Sequence, residues 1–219
     1  MTKRKKIRCI ILRMFAFLLL LCAIFVITIC IKINYIPVKI DNIYYNVYAM
    51  SSVVIATDKK EFKVLKISDT HLINGKTEND LKTLSYLESV LSQNSYDLII
   101  LNGDLVDGFT LNFSFNKYAS IDSFARIVES CGVFWTFVPG NNDREMQGDN
   151  KRMISYLMQF EHFIIGNIMD IDGDVNFVID IEKDGEVAHS IVLLDSHSRK
   201  IPIIGEYDYI KESQVEYLK

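Results

Sequence analysis

Cysteine is nearly missing from most of this 219-residue chain: Cys9, Cys22 and Cys30 lie in or beside one apolar run near the start, and Cys131 stands alone afterwards. No disulfide can therefore form within the polar body. The first 13 residues contain no acidic side chain but hold Lys3, Arg4, Lys5, Lys6, Arg8 and Arg13. With those six set aside, 18 Lys and Arg face 28 Asp and Glu. Such a deficit of basic residues excludes non-specific nucleic-acid binding, which depends on Lys and Arg along the phosphate track. A substrate phosphate would have to be drawn in by bound cations. Internal repeats and low-complexity tracts are also absent outside the apolar run, and the length leaves room for one domain.

That run, Met14 to Ile31, has Thr28 as its only polar residue and approaches the roughly 20 residues that span a bilayer as a helix. It outlasts the usual apolar region of a signal peptide, about 7 to 15 residues, and ends without a small-x-small cleavage site. An uncleaved signal anchor over 14–33 is the first expectation, and a cleaved signal peptide with secretion the alternative. The preceding basic tail, 1–13, predicts a cytoplasmic N-terminus and a single-pass type II topology, with the body lumenal or extracellular. Asn112-Phe113-Ser114 is the chain's sequon and its candidate glycosylation site. Residues 34–61 read as a stalk, with Tyr44, Tyr45 and Tyr48 as an aromatic patch and Val53 to Ile55 as an edge strand or hairpin.

From residue 62 to 219 the pattern is that of one α/β domain. Apolar runs at Phe62–Ser68, Asp97–Leu101 and Val133–Val138 predict three buried strands, each followed by a polar loop and an amphipathic helix. The first helix carries Leu81, Leu84, Leu87, Val90 and Leu91 and starts with Asn79 or Asp80 as its cap. The second spans 117–130 and the third about 151–160. Three such repeats predict a parallel sheet with helical crossovers. Lys183-Asp184-Gly185-Glu186 between two apolar runs predicts a hairpin adding antiparallel strands to the far side of that sheet. Tyr209 to Lys219 reads as the opening of a last helix.

The three strand ends carry the chemistry. They deliver Asp69-Thr70-His71, Asn102-Gly103-Asp104 and Pro139-Gly140-Asn141-Asn142-Asp143. A two-metal hydrolase needs a carboxylate that bridges both cations and separate oxygen or imidazole ligands for each. Asp69 and His71 can turn toward one cation, Asp104 is placed to bridge, and Asn141 offers an amide oxygen to the second. His197 follows a strand end but matches no further pattern, and His162 and His189 read as structural or exposed. Asp170, Asp172 and Asp174 around Gly173 lack the distal glutamate of a calcium loop and read as a solvated turn.

D-x-H, then G-D, then G-N-x-D, each after a strand, resembles the fingerprint of the calcineurin-like metallophosphoesterase superfamily. The closing residues, Leu194-Asp195-Ser196 and Tyr207 to Gln214, look most like its purple-acid-phosphatase-like, yeast Dcr2-type branch. The resemblance implies an αββα sandwich with a mixed sheet, and phosphomonoester hydrolysis at a di-metal centre of Mn, Fe or Zn. Asp69, His71, Asp104 and Asn141 would be metal ligands, and Asn142 and Asp143 would occupy catalytic positions. In the family the place of Asn142 belongs to a histidine that serves the leaving group; an amide donates a hydrogen bond but is no general acid. The family's later H and G-H-x-H ligand motifs do not occur in this sequence, so the domain is expected to be incomplete on its C-terminal side, with a protein partner covering it. Three readings stay open: a membrane-anchored phosphatase acting on a phosphorylated substrate with weakened or no activity, a silent binding or scaffold protein at the membrane, and a truncated reading frame of an active enzyme.

Overall fold

The structure is a computed structural model that describes residues 3–33, 52–108, 116–145, 150–166, 171–199 and 205–219. Tyr44, Tyr45, Tyr48, Asn112 and Asp170 lie outside the described residues. The chain divides into two compact units, Met1–Tyr35 and Ile36–Lys219.

The first unit is the helix α1, Lys3–Ile33. Its stretch Ile10–Thr28, 19 residues, is long and apolar enough to cross a membrane, about 28 Å at 1.5 Å per residue. Thr28 donates its hydroxyl to the Ile24 carbonyl at 2.8 Å, so the run's one polar side chain is satisfied within the helix.

The second unit contains two three-stranded sheets. Strand β1, Ser52–Ala56, is followed by β2, Val64–Ile67, then α2, Glu78–Gln93, and β3, Leu98–Asn102. Next come α3, Lys117–Glu129, β4, Phe134–Val138, the short turn of helix α4, Asn142–Glu145, and α5, Asn150–Leu157. The chain closes with β5, Phe177–Lys183, β6, Glu186–Leu193, and α6, Glu212–Tyr217. Strands β2, β3 and β4 are parallel and adjacent in that order, as the strand, loop, helix repeats predict.

The hairpin corrects an expectation. Strands β5 and β6 do pair antiparallel around Asp184 and Gly185, but they form a second, mixed sheet with β1 in the order β1-β5-β6 and do not extend the first. The parallel pairing of β1 with β5 matches Ser52 to Val178 and Ala56 to Glu182, a long-range contact invisible to local periodicity. The burial of β2 is also less than expected: it is an edge strand and leaves Val64 exposed, whereas Leu98 to Leu101 of central β3 are buried throughout. An edge strand has one neighbour, and it needs fewer apolar positions than a strand covered on both faces.

Helix α2 buries Leu84, Leu87 and Leu91 and leaves Leu81 exposed. Its cap is Thr77, whose hydroxyl accepts the Asp80 N–H at 3.1 Å, in place of the expected Asn79 or Asp80. Helix α3 is capped by Asn116, whose side chain accepts the Ala119 N–H, and buries Ile121, Phe124, Ala125 and Val128 as its spacing predicts. One continuous core joins these side chains to Trp135 and Phe137 of β4 and to Phe177, Ile179 and Ile181 of β5.

Candidate metal centre

The parallel register fixes where the three loops emerge. Leu101 lies opposite Ile67 on one side and Phe137 on the other, so residues 69–71, 103–104 and 140–142 leave the sheet side by side. Open parallel sheets build sites at this end of their strands. Backbone bonds hold the first two loops together: Asp69 N–H to Gly103 O at 3.1 Å, His71 N–H to Asp104 O at 3.1 Å and Leu72 N–H to Leu105 O at 2.8 Å. Gly103, at φ +75°, sits so close to the next loop that a Cβ on it would stand 2.6 Å from the Gly140 nitrogen. That contact lets the Gly140 loop pack against Asp104.

Asp69, His71 and Asp104 all adopt left-handed backbone conformations, with φ of 59°, 46° and 53°. A non-glycine residue held there carries a conformational cost of about 1–3 kcal/mol that its surroundings must sustain. The result is a convergence of three side chains whose ligand atoms lie within 4.8 Å of one another. His71 Nε2 is 3.8 Å from an Asp69 carboxylate oxygen, with the two side chains 43% and 67% exposed, so an ion could reach them from solvent. Two carboxylates and an imidazole make a donor set suited to a divalent transition metal. Among the described residues this is the one such group of three His, Cys, Asp or Glu side chains.

Asn142 and Asp143 divide the work of the third loop. Asn142 gives both its backbone N–H and its side-chain amide to the Asp104 carboxylate, each at 2.9 Å. Asp143 is buried and is not part of that group. Its two oxygens accept the N–H groups of Asp104 and Gly140, both at 2.8 Å, of Leu105 at 3.0 Å and of Val106 at 3.3 Å. Burial pushes the Asp143 carboxyl up to about 6, against the opposing pull of the Gly140 N–H and the Lys117 ammonium. The carboxylate is thus placed to pin the G-D and G-N loops to each other. The carbonyl of Asn141 accepts the Ser198 hydroxyl at 3.0 Å and the Arg144 N–H at 3.2 Å, which ties the loop to the segment after β6.

His197 lies in that segment, donates its N–H to Asp195 at 2.8 Å and rests Nε2 on the Gln214 side chain at 3.0 Å. It is not part of the Asp69, His71 and Asp104 group. His162 pairs with Glu129 at 2.9 Å, and the same carboxylate takes the Trp135 indole N–H at 2.7 Å; His189 is exposed on β6. In the acidic turn, Asp174 is bound by Arg144 at 3.0 Å and Asp172 by Ser213 at 2.6 Å, so both carboxylates are engaged by the protein itself.

Three buried carboxylates act as loop clamps, a role that the strand-end motifs do not announce. Asp143 is one. Asp80, in the first turn of α2, accepts the N–H groups of Ile73, Asn74 and Gly75, the last two at 2.9 and 2.8 Å, and so fixes the chain just after His71. Burial pushes its carboxyl up, but those N–H bonds and the Thr77 contact outweigh it and hold the group below the ordinary range. Asp195 accepts from the Asp174 N–H at 2.8 Å and pairs with Arg144. Thr77-x-x-Asp80 has the spacing of a capping box, the one sequence signal that points to the second clamp. A cavity of about 780 Å³ beside Lys59, Tyr96, Phe134 and Glu182 does not involve the convergent group.

Three curated proteins are similar to this chain. The chain is 26% identical over 179 residues to the Arabidopsis thaliana protein named probable inactive purple acid phosphatase 29, covering 70% of this chain and 45% of that protein. It is 28% identical over 180 residues to probable inactive purple acid phosphatase 14 of the same plant, at 70% and 44% coverage. With phosphatase DCR2 of Saccharomyces cerevisiae it shares 26% over 188 residues, at 74% and 32% coverage. The chain spans less than half the length of each of these relatives. The sequence model of the calcineurin-like phosphoesterases matches residues 62–216, a stretch that includes all three strand-end loops, and the chain belongs to that family.

Proposed function

We propose that this chain is a membrane-anchored phosphoesterase-family protein whose Asp69, His71 and Asp104 hold a divalent cation, with Asn141 contributing to a second, for hydrolysis of a phosphomonoester at a rate limited by Asn142. The observation that carries the reading is the convergence of those three side chains within 4.8 Å on loops clamped to one another. When bound, the cations would supply Lewis-acid stabilisation of the phosphoryl oxygens and a nucleophile from water near neutral pH. The residues present fit such ions, and manganese, iron and zinc all accept this mixture of oxygen and nitrogen donors.

The protein's own groups do the rest. Asp143 holds the Asp104 and Gly140 amides in place, and Asp80 does the same for the loop after His71, so the donors are oriented before substrate arrives. Asn142 can donate a hydrogen bond to a phosphoryl or leaving-group oxygen but has no proton to give at neutral pH. Its amide is engaged with Asp104, which favours the second reading: a family member that keeps the fold and its ions for binding and does not turn over. Two relatives are themselves named probable inactive. The apolar stretch Ile10–Thr28 of α1 supports single-pass anchoring, and the basic residues Lys3 to Arg8 at its start support a cytoplasmic N-terminus.

The test is an assay of the full chain in detergent on p-nitrophenyl phosphate with manganese, zinc or iron. The enzyme reading expects metal-dependent release of nitrophenol that disappears in Asp104→Ala. Metal binding without turnover would leave the silent reading, and neither binding nor turnover would sink both.

A further inference from the structure

Lys117 is the first residue of α3 and 1% exposed, a placement that a lysine rarely adopts without a specific partner. Its ammonium donates to the main-chain carbonyl of Asp143 and acts on the Asp143 carboxylate, which is buried behind the convergent group and accepts four N–H bonds from the loops that carry Asp104 and Gly140. The lysine therefore holds the short turn α4 at Asp143, while Asn142, one residue earlier in that turn, holds Asp104. A buried carboxylate is tolerated where a countercharge and hydrogen bonds compensate it, and here both come from elements that frame the centre.

We infer that Lys117 is a positioning residue of the metal centre, acting through Asp143 to hold the Asp104 and Gly140 loops at the spacing that a cation requires. The inference rests on the proposed metal centre, and nothing in the three strand-end motifs points to it, because Lys117 lies on a helix well after the G-D loop. Residues that orient metal ligands from behind are typically worth about 10- to 100-fold in metal affinity.

The experiment titrates Mn²⁺ into the full chain in detergent by calorimetry, for wild type, Asp104→Ala, Lys117→Met, Asp143→Asn and the Lys117→Met/Asp143→Asn pair. Wild type is expected to bind and Asp104→Ala not to; absence of binding by wild type defeats the metal-centre reading and the inference with it. Lys117→Met is expected to weaken Mn²⁺ binding about 10- to 100-fold, and the same substitution in the Asp143→Asn background to weaken it less, because the carboxylate charge is gone while the bond to the Asp143 carbonyl remains. An equal loss in both backgrounds, or none in either, overturns the role of Lys117 while leaving the metal centre standing. If Lys117→Met does not fold, hydrogen exchange on the wild-type chain decides: Mn²⁺ should slow exchange at residues 117–121 together with 104–106, and protection confined to 104–106 overturns the inference.

Discussion

At the scale of single residues, Asn142 and Asp80 make opposite kinds of contribution. Asn142→His would place an imidazole where a proton donor is wanted and remove the amide bond to Asp104. The expected outcome is a gain on the order of 10²- to 10⁴-fold in kcat/KM on p-nitrophenyl phosphate, and an unchanged rate would show that the defect lies elsewhere. Asp80 acts on stability. Its carboxylate holds three loop amides, so Asp80→Asn should cost about 1–3 kcal/mol in urea unfolding at pH 7. Because the folded-state pKa is lowered, the contribution is present above the unfolded value near 4 and is lost as pH falls through the lower folded value. The gap between wild type and variant should therefore close below about pH 4; a gap independent of pH would mean that charge is not what holds the loop. Asp69, His71, Asp104 and Asn142 were legible in the sequence because each follows an apolar run that ends in a polar loop. Lys117 and Asp195 were not, since a buried charge interrupts no periodicity and looks like any surface residue until its partners are known; Asp80 showed only as a helix-start residue, not as a clamp on the loop after His71.

At the scale of elements, local signals served well and non-local ones failed. The three parallel strands, the α2 and α3 helices and the Asp184-Gly185 turn all follow from spacing and turn chemistry. The split into two sheets does not, because it depends on β1 pairing with β5 across some 125 residues of chain. Two glycines separate conformation from crowding. Gly185, at φ +83°, has open space where a Cβ would stand, so Gly185→Ala should cost only about 1 kcal/mol, from backbone preference alone. Gly103, at φ +75°, faces the Gly140 backbone at 2.6 Å, so Gly103→Ala must also drive the two loops apart. Thermal melts should show the larger loss for Gly103→Ala, with Mn²⁺ binding impaired in that variant and intact in Gly185→Ala. Equal melts and equal binding would mean that the loop contact is slack.

For the whole molecule, the proposed anchor is the stretch Ile10–Thr28 of α1, which is long and apolar enough to cross a membrane. Washing membranes with alkaline carbonate should leave the full chain in the pellet and release a variant lacking residues 1–33; extraction of the full chain by carbonate would remove the anchor from the account. The folded unit, for its part, has its candidate ligands fixed by main-chain bonds between neighbouring loops and by the Asp80 and Asp143 carboxylates, which each accept several main-chain N–H groups. On the proposed reading such a centre would be expected to fold without its ion, unlike a small zinc domain, whose folding energy is the metal's. On the proposed reading, stripping or exchanging the ion would change what the surface binds without unfolding the protein, so ion supply would act on function and not on the amount of folded protein.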